Sequence, residues 1–172
     1  MRRQKGFSLI ELMIVVMIIL IIAAIAIPNI MRARMAANDS SAAGSVRTIN
    51  TAEITYFNAY TTIGFPAAMT ALGGALPCTP SPLTGCLIDN SLATNGGGSG
   101  KSGYNFNATG LISPGSLINN QFYSTGAPFS SIFGTRSYCS VEDAVLRLNQ
   151  PAGSIVLVPS YAACALLPAM QP

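Results

Sequence analysis

Between Phe7 and Ile27 the chain runs for 21 residues in which Glu11 alone is charged. As a helix this stretch spans roughly 30 Å, about the thickness of a bilayer's hydrocarbon core. No other feature restricts the fold as much, because the segment has to cross a membrane or pack inside an apolar bundle. A bare carboxylate at that depth costs on the order of 3 kcal/mol or more, so Glu11 is a candidate functional residue and its partner has to be found.

The charges around this run set its orientation. Arg2, Arg3 and Lys5 all precede Gly6. Positive residues stay on the cytoplasmic side, so the amino terminus is expected inside and everything after Ile27 outside the cytoplasm. A cleaved secretory signal is the competing reading, with Ala24-Ile25-Ala26 as a weak small-x-small site. It leaves Glu11 unexplained. Beyond the leader, six basic residues (Arg32, Arg34, Arg47, Lys101, Arg136, Arg147) balance six acids (Glu11, Asp39, Glu53, Asp89, Glu142, Asp143). The formal charge of +3 therefore belongs to the leader and gives no support for a nucleic-acid footprint.

The cysteines agree with export. Cys78, Cys86, Cys139 and Cys164 all fall in the part expected outside, where disulfides persist. The chain has no Cys-x-x-Cys pair and no histidine, which argues against a zinc site, and no cofactor is called for. Four cysteines allow three pairings. The sequential one, Cys78–Cys86 with Cys139–Cys164, closes two loops without crossing the rest of the chain.

The apolar helix is expected to continue past the membrane. Val46, Ile49, Ala52, Tyr56 and Tyr60 recur at spacings of three and four, which marks one helical face. Pro28 should kink this helix rather than end it, since good helix formers follow. The helix is read from about Phe7 to about Tyr60, roughly 80 Å. Gly64, Pro66, Gly73, Gly74 and Pro77 then introduce a loop region to about Gly103. Tyr104–Asn107, Gln121–Ser124, Arg136–Cys139 and Val145–Leu148 read as strands of an antiparallel meander with one face against the helix. The expected class is α+β: a long amino-terminal helix, transmembrane in its first half, packed on a β-meander with a C-terminal disulfide loop. The expected divisions are a leader (1–6), a membrane helix (7–27) and one compact outer domain (28–172) made of a helix (28–60), a loop (61–103) and the meander (104–172).

The basic leader ending in Gly6, the run Phe7-Ser8-Leu9-Ile10-Glu11-Leu12, the long apolar segment and Pro28 together resemble the prepilin signature of type IV filament proteins. These are the type IV pilins and the pseudopilins of type II secretion. The close resemblance covers about the first 35 residues. It implies that a dedicated membrane peptidase, prepilin peptidase, cuts after Gly6 and that the new amino terminus of Phe7 is methylated. It also implies that Glu11 of one subunit pairs with the Phe7 amine of a neighbour during assembly, which makes the acid a register mark rather than a source of net stability. The bland alternative is that Glu11 snorkels to the headgroups alone. Many pilins carry a helix-breaking glycine between the acid and the proline. Leu20 stands there in this chain, so local melting before Pro28 is less assured.

The resemblance further implies a homo-oligomeric helical filament, assembled by inner-membrane pilus machinery from a single-pass precursor, then displayed outside the cell for attachment, twitching motility or DNA uptake. Cys139 and Cys164 look like the pair that bounds the C-terminal loop of many type IV pilins. Two rivals stay open, a type II secretion pseudopilin and a minor pilin or adhesin. Pseudopilins typically bind calcium through several acids in a C-terminal loop, where this chain offers only Glu142 and Asp143. An enzyme finds little support without a histidine base.

Weaker signals have plain readings. Asn95-Gly96-Gly97-Gly98-Ser99-Gly100-Lys101-Ser102 looks like a phosphate loop but lacks the first glycine and the flanking strand and helix, so it reads as a flexible surface loop. Asn38-Asp39-Ser40 and Asn107-Ala108-Thr109 fit the glycosylation sequon, a short pattern that often arises by chance. Tyr56, Phe57, Tyr60 and Phe65 read as core packing. Glu142 and Asp143 read as a solvated turn.

Overall fold

The computed structural model describes residues 6–149 and 156–170. Arg2, Arg3 and Lys5 lie outside the described residues. The chain divides into two compact units, Met1–Arg34 and Met35–Pro172. Helix α1 runs Leu9–Ala59 with Pro28 and Leu20 inside it.

In the second unit, α1 buries Asp39, Ala42, Ala43, Ser45, Val46, Ile49, Asn50, Ala52, Glu53 and Tyr56. Those positions repeat every three or four residues and form a single stripe. The stripe packs with Tyr104, Phe106, Ala108 and Tyr138 of a four-stranded sheet. Its strands are β1 (Tyr104–Leu111), β2 (Gln121–Pro128), β3 (Ser137–Val141) and β4 (Arg147–Asn149). All neighbours are antiparallel and in chain order, so the sheet is a meander.

The second face of the sheet is covered as well. Every residue of β3 is buried. Tyr138 turns toward α1, while its neighbours Cys139 and Val141 join Val158 and Cys164 in a smaller cluster on the other face. Period-two alternation explains the split. The cover is the C-terminal segment with its short helix α3 (Tyr161–Ala165), tied down by Cys139–Cys164. A bond from Val158 N–H to Thr125 Oγ1 (3.2 Å) adds to this. Further on, Leu148 N–H donates to Pro168 O and Met170 N–H to Leu146 O, so the tail also closes the β4 edge.

Residues 61–103 are more than a loop. Met69, Leu72, Ile88, Leu92 and Ala93 all enter the main core. They are presented by a 3₁₀ turn (Met69–Leu72) and the one-turn helix α2 (Asn90–Ala93), capped by Asp89, whose carboxylate accepts from Leu92 N–H at 2.8 Å. Cys78–Cys86 closes the intervening bend, and Tyr56 of α1 donates to Pro82 O at 2.6 Å. The aromatic residues pack in the domain, with ring centroids 4.7 Å apart for Tyr56–Tyr60, Phe57–Phe65 and Phe65–Phe122.

One joint near the start of the domain is sterically tight. Asp39 accepts a short hydrogen bond from Tyr104 Oη and another from Thr135 N–H (3.3 Å), while Asn38 Nδ2 donates to Phe133 O (2.9 Å). A Cβ on Gly134 would overlap both Tyr104 Oη and Asp39 Oδ1. A Cβ on Gly44, on the solvent side of α1, would meet nothing. Gly134→Ala should therefore lower the thermal midpoint by several degrees, whereas Gly44→Ala should raise stability by about 0.5–1 kcal/mol through helix propensity. Thermal unfolding of the two variants followed by circular dichroism checks both signs.

Candidate functional site

In the first unit nothing among the described residues covers the apolar helix. From Gly6 to Arg34 every residue is exposed except the half-buried Ala23 and Ala26. The most apolar 18-residue window of α1 has a mean hydropathy of 3.2 and is 0% buried. A buried side chain of this kind is worth about 1.5–3 kcal/mol, so the run as a whole forgoes tens of kcal/mol if left in water. A lipid phase or other helices must supply the cover.

The first turn of α1 shows what Glu11 does within its own chain. Ser8 sits just before the helix and its N–H donates to Glu11 Oε2 at 3.0 Å. That is half of a capping box, in which the third helical residue reaches back to the amide of the cap. The acid also faces the positive end of the helix dipole, where negative charge is favoured. The sequence reading left Glu11 without an intrachain partner, although the Ser-x-x-Glu spacing was there to be read. The carboxylate keeps Oε1 free for a second donor. A Cβ on Gly6, just upstream, would meet nothing within 4 Å. The fold itself therefore does not demand glycine at that position.

Pro28 removes one amide from the ladder of α1. Beside it Asn29 Nδ2 donates to Ile25 O at 3.1 Å, so a side chain supplements the backbone bonds.

The remaining candidate residues lie in the second unit. Cys78 bonds to Cys86 and Cys139 to Cys164, with Cα–Cα distances of 6.0 and 5.9 Å. Glu142 and Asp143 occupy a turn, yet both are engaged. Asp143 pairs with Arg147 at 2.5 Å, and this contact holds its carboxyl below the usual range. Glu142 accepts from Tyr161 Oη, which, with burial, pushes the phenol up to about 12. Among the described residues no group of three His, Cys, Asp or Glu could hold a metal ion.

The glycine-rich segment differs from the flexible loop expected for it. Asn95, Gly96, Gly97, Gly98, Gly100, Ser102 and Gly103 all take positive φ. The turn is anchored where Asn95 Nδ2 donates to Phe106 O (2.5 Å) and Asn95 Oδ1 accepts from Phe106 N–H (2.7 Å). Lys101 pairs with Asp89 at 3.0 Å. Burial alone would raise the Asp89 carboxyl, but the Leu92 amide and Lys101 outweigh it and hold it low. The segment is a structural clasp on β1. Of the sequon asparagines, Asn38 is committed to Phe133 O, and Asn107 is exposed on β1.

A residue the sequence reading passed over is Glu53. It lies on the buried stripe of α1 at 0% exposure, and neither carboxylate oxygen has a hydrogen-bond partner. Burial pushes its pKa up to about 8. The signal was present, since residue 53 falls on the helical face through Val46, Ile49 and Tyr56, but its charge argued for solvent.

The Prokaryotic N-terminal methylation motif matches residues 1–27. The type IV wide pilus major component PilA4 of Thermus thermophilus is 60% identical over 40 residues, 23% of this chain and 30% of that protein. The type IV major pilin protein PilA of Myxococcus xanthus is 46% identical over 56 residues, 33% of this chain and 26% of that protein. The amino-terminal segment is similar to that of these two type IV pilins. The matched stretch spans less than a third of either relative, and no solved structure matches the chain. A long apolar helix leading into an antiparallel sheet with a C-terminal disulfide is nonetheless a pilin-like α+β architecture.

The clasp at Asn95 can be tested directly. Asn95→Asp keeps the acceptor and tolerates positive φ but sets an oxygen against Phe106 O. It should cost about 1–3 kcal/mol, the usual penalty for a broken buried pairing. Chemical denaturation of wild type and variant measures it.

Proposed function

We propose that this chain is the structural subunit of a type IV pilus. Prepilin peptidase cuts it between Gly6 and Phe7, the new Phe7 amine is methylated, and α1 polymerises it into a surface filament. In this reading residues 1–6 are the leader, 7–27 the membrane and assembly helix, and 28–172 the extracytoplasmic domain. The precursor spans the bacterial inner membrane once, with its amino terminus in the cytoplasm, and the inner-membrane assembly machinery moves it into the extracellular pilus.

The observation that carries this reading is an apolar helix exposed on all sides with one acid in its first turn. Such a helix is stable in lipid and equally stable among copies of itself, so it can be transferred from one to the other. The pilin relatives at the same segment point the same way. Gly6 fits a requirement set by the peptidase, since the fold has room for a side chain there. Cleavage also removes Arg2, Arg3 and Lys5, the charges that hold the segment at the cytoplasmic face.

Glu11 then has two tasks. Oε2 caps Ser8 in its own chain, and Oε1 is left for the Phe7 ammonium of a neighbour. An ion pair in an apolar surround is costly unless both charges are matched, so subunits out of register are penalised. The Cys78–Cys86 and Cys139–Cys164 bridges suit a domain that works outside the cell.

Sheared surface filaments should yield a subunit whose mass corresponds to cleavage before Phe7 plus one methyl group; an intact leader overturns the processing scheme. Glu11→Ala should remain in the membrane and fail to assemble efficiently. Glu11→Gln retains the cap to Ser8 but removes the charge, so it should also fail if pairing matters. Normal filaments from Glu11→Gln, imaged by electron microscopy, would leave only the capping role.

A further inference from the structure

Glu53 is the one fully buried acid among the described residues, and its setting offers nothing to balance a negative charge. It projects from the stripe of α1 that faces the sheet. Strands β1, β2 and β3 contain no Asp, Glu, Lys or Arg; their titratable groups are Tyr104, Tyr123 and Tyr138. Tyr104 is committed to Asp39 and Arg136 O. In residues 61–103 the charged side chains are Asp89 and Lys101, which pair with each other. Towards the C terminus Arg147 is held by Asp143, and Tyr161 by Glu142. On α1 itself Arg47 lies on the exposed face, and Tyr56, one turn on, is the titratable neighbour whose own phenol the Glu53 charge would oppose. One turn back, Asn50 Oδ1 accepts from Ser124 Oγ at 2.7 Å, and its Nδ2 is without a partner.

A carboxylate in such surroundings takes a proton in preference to a bare charge. We infer that Glu53 is a proton-binding site at the α1–sheet interface, neutral in the folded domain, and that its ionisation in alkali loosens α1 from the sheet. The domain thus contains a pH-sensitive latch, closed in acid and weakened in base.

The sign follows from proton counting. The unfolded carboxyl titrates near 4.5 and the folded one near 8. Between these values the folded state holds one more proton than the unfolded state, so folding weakens as pH rises through this window. The stabilising effect of protonation is complete below the lower value and gone above the higher one. A single such proton changes the opening equilibrium about tenfold per pH unit across the window.

The test uses the full chain in detergent micelles. Hydrogen exchange at the amides of residues 46–56 is compared between wild type and Glu53→Gln from pH 5 to pH 8. Glutamine has the same shape and no charge, so the ratio of wild-type to variant opening should climb by orders of magnitude across the range. A flat ratio overturns the latch. Infrared difference spectra give a second reading that needs no Glu53 variant. In a Glu11→Gln background, a protonated-carboxylic-acid band should persist at pH 7 and fade as pH passes 8, and its absence at pH 7 overturns the proton site itself.

Discussion

The domain depends on how closely α1 can lie on the sheet. Small residues permit the approach: Ala42, Ala43 and Ala52 on the helix, and Gly126 on β2. A Cβ on Gly126 would come within 2.8 Å of the Phe106 ring and 3.3 Å of Val46 Cγ2. With that contact in place, Tyr56, Tyr104, Phe106 and Tyr138 fill the flanks, and β3 is brought to a depth where its other face also needs cover. The C-terminal segment answers that need, and Cys139–Cys164 closes a loop of 25 residues to hold it. By loop-closure entropy this bridge contributes about 3 kcal/mol.

How far the architecture can be read from the amino acids varies along the chain, for physical reasons. The first half of α1 is apolar on every side, so its character needs no knowledge of neighbours. The starts of β1 and β2 at Tyr104 and Gln121 are equally plain, because aromatic residues alternate at Tyr104 and Phe106 and cluster at Phe122 and Tyr123. Their ends are not. Gly110, Gly126 and Pro128 look like strand breakers, yet β1 runs to Leu111 and β2 to Pro128. Gly126 is accommodated because Phe106 and Val46 need its space. Gly110 is accommodated because a side chain there would strike the carbonyls of Phe65 and Pro66. Such requirements exist only once the chain has folded. The same holds for residues 61–103, whose core contributions come from short turns held by tertiary contacts and one disulfide rather than by any periodic pattern.

The amino-terminal site shows the opposite balance. Ser8 and Glu11 are three residues apart and their contact is local, so the cap was legible from spacing alone. Glu53 was obscured by its type. Its place on the helical face is as regular as that of Ile49, but ionisable residues are seldom fully buried, and composition outweighed position.

Glu11 and Glu53 stand on one helix and handle the same problem in different ways. Glu11 lies where unpaired amides and the helix dipole favour negative charge, and where a second donor can reach it. Glu53 lies five turns into the domain, where the amides are already bonded and strands β1, β2 and β3 carry no cation, so protonation is its stable state. The consequence extends to the charge of the proposed mature subunit. Six bases face six acids after Gly6, but with Glu53 neutral only five acids count. The new Phe7 amine then adds a positive charge that Glu11 of a neighbour can match, so assembly neutralises a charge that cleavage has just created.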